Sequence, residues 1–257
     1  MEFQSNLKNS LIRNIELSEL LHKPFVHKFV ENVFPENIYN ELINNIPNKS
    51  CYVPIFDTGT VKKGYSADRY VFNLQDTKII NKLENSQKLF FNNLLKAIIS
   101  NELFNSVTFG FSKTIDARLN NLSEAEKQKL GTSNYKFYMR AELVKDFSKY
   151  SLGVHTDAIH KLVSFLFYIP KDDSLKEIGT TIYEPINSKT IYDVSGHHFS
   201  RESSKKYFKK VKTCPFIPNS VLIFPITKYS YHGVEEINIQ QKERNLLLLN
   251  YFFTITP

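Results

Sequence analysis

Three side chains with metal-binding atoms stand at the mouths of apolar segments. His155 and Asp157 lie one residue apart in "GVHTDAIHKLVSFLFYIP", residues 153–170, and a nearly continuous apolar run with Lys161 at its start follows. In extended chain, residues i and i+2 point the same way, so this spacing aims an imidazole and a carboxylate at one point. His160, three residues further on, is expected to face away. His232, in "FPITKYSYHGVEEI", also sits where a turn gives way to a strand and supplies a third donor. Arg244 leads "RNLLLLNYFFTI", twelve positions after His232. A guanidinium ahead of so apolar a stretch has to be paired or reach water.

Two histidines and one carboxylate on one side of an octahedron form the facial triad of non-haem Fe(II) oxygenases, which leaves three positions open for a co-substrate and O2. Such enzymes need an electron source, usually 2-oxoglutarate, whose far carboxylate has to be gripped. An arginine does this best, because its fork is bidentate to carboxylate and keeps its charge when buried.

The elements that must position these groups are readable from pattern. "FPENIYNELINNIP" predicts a helix over 34–47, with Pro35 in the first turn, apolar residues at 34, 38, 42 and 46, and a stop at Pro47. A longer helix is expected over 77–100, with Leu83, Leu94, Leu95, Ile98 and Ile99 facing in. "LSEAEKQKLG" predicts a short helix with a Ser123–Glu126 capping box and Gly131 as its C-terminal cap. From about residue 135 the texture changes to strands: "YKFYMRAELVKDF", "KLVSFLFYIP", "GTTIYEP", "NSVLIFP", "YHGVEEI" and "RNLLLLNYFFTI". Helices followed by a run of short strands imply a mainly β fold with supporting α-helices, an antiparallel sandwich or barrel. With no repeat or linker in sight, one domain over 1–257 is expected, with 1–134 mainly helical support and lid and 135–257 the core.

The 257 residues carry a formal charge of +7, with 42% hydrophobic residues and no Trp. The basic residues are scattered, and the one dense stretch, "SKKYFKKVK" at 204–212, reads as a solvated face. No nucleic-acid partner is expected. Two distant cysteines, Cys51 and Cys214, fit a reducing compartment. The absence of a long apolar run predicts no membrane span, and a cytoplasmic protein, monomer or homodimer, is expected.

Taken in order, "HTD…YHGVEE…RNLLLLNYFF" resembles the 2-oxoglutarate/Fe(II)-dependent dioxygenase superfamily, and most of all its prolyl 4-hydroxylase-like branch. The resemblance covers roughly 135–257. "GTT" stands where that family usually has a Gly-Gly or Gly-Thr strand, and "NSVLIFP" precedes the distal histidine. The N-terminal third matches only loosely, through "KPFVHKFVENVFPENIYNEL". The resemblance implies a double-stranded β-helix (jelly roll, cupin-like) core. It implies His155, Asp157 and His232 as ligands of Fe(II), with no catalytic side chain beyond them. It implies Arg244 as the salt-bridge partner of the 2-oxoglutarate C5 carboxylate, and Tyr168 as a second contact to that carboxylate. Lys145 stands where relatives often place a tyrosine that touches the C1 end, a departure from the family pattern. Asp157 is a small residue in halogenating relatives, so its presence favours hydroxylation or another oxidation. Ascorbate is an optional further reductant.

Segments 52–75 and 186–213 flank the strands and are expected to act as lids. Their Lys, Arg and Tyr content fits a polar or anionic small molecule, and Arg69 and Tyr70 are the side chains expected to touch it; an exposed loop pair is the plain alternative. A peptidyl, prolyl-type substrate is the second reading, and a non-catalytic jelly-roll module that keeps a metal structurally is the third. His197 and His198, in "GHHFS", are expected to be loop residues, like His160.

Overall fold

A computed structural model describes residues 2–59, 68–130, 135–147, 150–187, 196–237 and 243–255. Its strands are β1 Lys28–Glu31, β2 Val53–Pro54, β3 Arg69–Asn73, β4 Tyr135–Asp146, β5 Leu152–His155, β6 Lys161–Tyr168, β7 Thr180–Pro185, β8 Phe208–Cys214, β9 Ser220–Pro225, β10 His232–Val234 and β11 Arg244–Ile255. They form a seven-stranded sheet in the order β1-β9-β6-β11-β4-β3-β2 and a four-stranded sheet in the order β5-β10-β7-β8. Every described pairing is antiparallel. Strands β4 to β11, divided between two facing sheets with these crossovers, make the jelly roll.

Side-chain alternation along β11 shows how the layers are held. Leu247, Leu249, Tyr251 and Phe253 pack into a core shared with the helices, and Leu246 packs into a second core with Ile182 of the four-stranded sheet. Both faces of the seven-stranded sheet are covered, which is why β6 and β11 read as unbroken apolar runs instead of alternating. A one-residue slip would exchange the two faces, so pairing with β4 and β6 pins the strand.

The helices cover the other face of that sheet. They are α1 Glu2–Leu17, α2 Glu36–Asn45, α3 Thr77–Ile80, α4 Asn85–Ile98, α5 Asn101–Gly110, α6 Ser112–Asn120 and α7 Glu124–Leu130, with α8 Arg201–Tyr207 beside β8. The expected long helix over 77–100 is two pieces. Asp76 caps α3 by accepting from the Lys78 amide, and Glu84 is extended just before α4. Asn81 follows α3 and Asn85 and Ser86 open α4, and side chains of these types compete for local backbone bonds. Leu83 still buries, but Leu95 and Ile99 are only half-buried. The Ser123–Glu126 capping box forms in both directions, while Gly131 lies outside the described residues. Helices α1, α5 and α6 add to those expected. The Leu7, Leu11, Ile15 spacing of α1 was the available signal, and all three are buried.

The expected lid segments are partly sheet. Residues 69–73 are strand β3, paired with β4, and 208–214 are strand β8, paired with β7. Only their intervening portions remain as candidate lids, and 60–67 and 188–195 lie outside the described residues. The lysines of 204–212 do lie on the outer side of α8 and β8, largely exposed.

Candidate metal centre

His155 ends β5 and His232 opens β10, and the two are direct cross-strand partners. Their ring centroids are 4.2 Å apart. Each ring is fixed from behind. His155 Nδ1 lies 3.0 Å from the Gly153 carbonyl and His232 Nδ1 lies 2.9 Å from the Ser230 carbonyl. A carbonyl only accepts, so each Nδ1 carries the proton and each Nε2 lone pair is turned forward. Asp157 lies beyond the end of β5, so it is placed by the turn that follows and not by strand geometry. Ser164 donates to its Oδ2 at 2.7 Å and Lys161 to its Oδ1 at 3.1 Å. One ligand atom from each of the three residues lies within 4.8 Å of the other two.

The electrostatics suit a cation. Burial lowers the pKa of both His155 and His232, so both imidazoles are neutral lone-pair donors at neutral pH. Burial works against ionising Asp157, but Lys161 and the two imidazoles outweigh it and hold its carboxyl far below the ordinary range. A neutral, neutral, anionic donor set of two nitrogens and one oxygen fits a first-row divalent ion.

Arg244, on the first position of β11, is fully buried beneath these donors. It donates through Nη1 to Asp146 Oδ2 at 2.7 Å and through Nε to the Ile178 carbonyl at 2.8 Å. Its Nη2 is buried with no hydrogen-bond partner among the described residues. Arg69 grips the same Asp146 side-on, at 2.6 and 2.9 Å. Two guanidinium groups therefore share one carboxylate. Thr180 lines the same inner chamber of about 90 Å³ as the three donors, Arg69 and Arg244, and its Oγ1 has no hydrogen-bond partner among the described residues. A buried cation with an open donor costs stability unless something anionic meets it.

An adjoining outer chamber of about 370 Å³ also reaches His155 and Asp157. Two further clefts, of about 380 and 470 Å³, hold none of the three donors.

No protein-family model matches the sequence, and no curated protein is recognisably similar to it. Solved structures with a similar chain path include 2-oxoglutarate-Fe(II) oxygenases. A prolyl-4-hydroxylase of Pseudomonas putida is 9% identical over 96% of this chain and 98% of its own, with a TM-score of 0.46. A 2OG-Fe(II) oxygenase-family oxidoreductase from Burkholderia pseudomallei is 11% identical over 95% and 88%, with a TM-score of 0.45. The epimerase SnoN, solved with Fe3+, alpha ketoglutarate and nogalamycin RO, is 10% identical over 97% and 86%, with a TM-score of 0.49. Likeness this distant says nothing of which reaction this chain performs.

The remaining residues singled out in the sequence fall in different places. Tyr168 is fully buried below the chamber, and its hydroxyl accepts the Thr180 amide at 3.1 Å. That bond uses the hydroxyl as an acceptor and leaves its proton to be donated. Lys145 points away from the cavity, toward the helices. It donates to Glu243, and to Asn245 Oδ1 at 3.0 Å, with Tyr52 beneath it. An end-on role for Lys145 at a bound oxo acid is therefore corrected: alternation puts Val144 and Asp146 on the cavity side of β4. Arg69 lines both chambers, although as a strand residue and not in a loop. Its neighbour Tyr70 takes the opposite face, edge-on to Phe147 at 5.5 Å and under Lys49. Tyr70 is thus removed from the substrate contacts.

His198 and His160 are not idle loop residues. His198 stacks on His155 at 4.8 Å, and both histidines line the outer chamber. The His197 carbonyl accepts from the Thr156 amide. The residues that pattern reading missed are Asp146, Ser164, Thr180 and Lys161's contact to Asp157. Lys161 had a signal, as the lone charge at the mouth of an apolar strand.

Two expected outcomes arise here. Replacing Lys161 with Met should raise affinity for a divalent metal by about tenfold, because the ammonium competes for Asp157 Oδ1. Titration with Co(II) reads this directly, and a weaker affinity in the variant would mean that Lys161 serves to orient the carboxylate. Replacing Asp146 with Asn should destabilise the fold by about 3–5 kcal/mol, because the buried Arg244 and the half-buried Arg69 lose their shared partner. Urea unfolding checks it, and a loss below about 1 kcal/mol would show that Asp146 does not hold the pair.

Proposed function

We propose that this protein is a non-haem Fe(II) oxygenase that couples oxidative decarboxylation of 2-oxoglutarate to hydroxylation of a polar or anionic small molecule. One observation carries the reading: a His155, Asp157, His232 donor set stands over a buried guanidinium, Arg244, whose Nη2 has no hydrogen-bond partner among the described residues. Fe(II) held by the three residues supplies the redox chemistry with O2 and the oxo acid. The chain supplies the rest. Arg244 Nη2 and Thr180 Oγ1 meet the far carboxylate of the oxo acid, and Asp146 keeps both arginines aimed. Ser164 holds Asp157, and the Gly153 and Ser230 carbonyls fix the imidazole rings. Burial of the inner chamber keeps bulk water away, which strengthens each of these contacts.

The carboxylate at position 157 supports oxygen transfer to substrate, in keeping with the resemblance read from the sequence. The outer chamber, at about 370 Å³, suits a small molecule better than a folded protein. A peptidyl substrate remains the second reading, since an extended peptide end needs no larger opening. Among the described residues no helix is long and apolar enough to cross a membrane.

Succinate formation in the presence of Fe(II), 2-oxoglutarate and O2 tests the reading, followed by a turnover screen over amino acids, peptides, sugar nucleotides and lipids. A chain that binds metal but releases no succinate with any substrate would be the non-catalytic module instead.

A further inference from the structure

Among the described residues, few buried polar side-chain atoms lack a hydrogen-bond partner, and two of these are guanidinium nitrogens. Arg244 Nη2 belongs to the inner chamber. The other is Arg140 Nε, and Arg140 lines the outer one. We infer that Arg140 is the specificity-determining anchor for an oxyanion, carboxylate or phosphate, on the substrate; this rests on the oxygenase reading above.

Strand register puts Arg140 at the right place. Arg140 is paired with Asn250 of β11, and Asn250 with Ser164 of β6. Ser164 also contacts the Asn250 side chain, at 2.9 Å, and donates to Asp157. The anchor thus lies two strand spacings, on the order of 10 Å, to one side of the metal-binding carboxylate. Glu142, two residues along the same face of β4, accepts from Arg140 Nη2 and orients the fork, while Nε is left without a partner.

Charge and shape favour the same ligand. The charged side chains lining the outer chamber are Arg69, Arg140, Lys161, Glu142 and Asp157. Asp146 already serves Arg69, Glu142 serves Arg140, and a bound divalent ion takes up the charge of Asp157. Lys161 then leaves the chamber net cationic, and a substrate bearing a positive group is repelled. Asn250 lies between anchor and metal along the register, and the chamber also presents the apolar side chains of Val71, Val144, Leu152, Leu248 and Phe252. The substrate class is therefore a small amphiphilic oxyanion whose apolar body packs against these side chains and presents a C–H bond to the metal side.

The test uses the full chain loaded with Zn(II), which does not turn over, and with saturating 2-oxoglutarate. Arginine Nε–H resonances are followed by 15N NMR, and the Arg140 signal is identified by its loss in Arg140→Lys. Acetate, hexanoate and inorganic phosphate are titrated separately at constant ionic strength. The Arg140 signal should move and saturate, and the anion that saturates it lower distinguishes carboxylate from phosphate. Hexanoate should saturate at a concentration at least about tenfold below acetate, because its chain buries against these apolar side chains. In Arg140→Gln the affinity for hexanoate, measured by calorimetry, should fall by about tenfold or more, with partial recovery in Arg140→Lys. An Arg140 signal that does not move, or hexanoate affinity unchanged in Arg140→Gln, overturns the anchor. Binding of 2-oxoglutarate to the Zn(II) form is measured alongside. If that fails while the Arg140 signal saturates, the oxygenase reading falls and the anion anchor stands.

Discussion

Arg244→Gln should weaken 2-oxoglutarate binding by about two orders of magnitude, since a charge-assisted contact in a buried site is lost and nothing replaces it. The chain should still fold, because Asp146 keeps its side-on pair with Arg69 at 2.6 and 2.9 Å. Arg244→Lys should recover only part of the affinity. One ammonium cannot hold the Asp146 carboxylate and the Ile178 carbonyl and still reach a ligand. Affinity for the metal should stay close to that of the unaltered protein in both variants, because Arg244 is not among the three donors. Calorimetry on the Zn(II) form, with urea unfolding as a control for folding, separates these outcomes. Should 2-oxoglutarate bind a folded Arg244→Gln protein as tightly as before, the arginine is a structural ion-pair residue and the co-substrate lies elsewhere.

His232→Ala should lose divalent metal affinity by more than the 10- to 100-fold that removing an outer partner typically costs, since a direct donor is gone. The readout is linkage. A metal that binds only the folded chain adds about 2.7 kcal/mol at a hundredfold excess over its dissociation constant, and the variant should show none of that gain. His155→Ala and Asp157→Ala should behave alike, whereas His198→Ala, which removes a ring stacked on His155 but no donor of the set, should keep most of the gain. A variant without His232 that is stabilised by Co(II) as strongly as the parent protein would rule out the proposed centre.

How much of this was legible in the chain depended on how local the cause was. The strands of the second half were readable because turn chemistry and apolar runs are local, and the capping box at Ser123 and Glu126 is settled within four residues. The split between α3 and α4 was not, since the inward spacing of Leu83 and Leu94 masks a short polar interruption. Strand β8 was hidden because its exposed lysines, Lys209 and Lys210, make an edge strand look like a solvated loop.

The order HxD, distal histidine, arginine was present in the sequence itself, and with it the idea of a metal beside an anion grip. Whether those groups converge was not, because His155 and His232 meet only through the pairing of β5 with β10. The clearest case is the single step between Lys145 and Asp146. The sequence offers a cation and an anion side by side on β4, and nothing local says which one enters the cavity. Pairing with β3 and β11 decides it, turning Asp146 toward Arg69 and Arg244, which lie 77 and 98 positions away, and sending Lys145 to Glu243 on the opposite face. Side chains alternate with a period of two along a strand, so a difference of one residue in register moves a charge from one side of the sheet to the other, and only the assembled sheet sets the register.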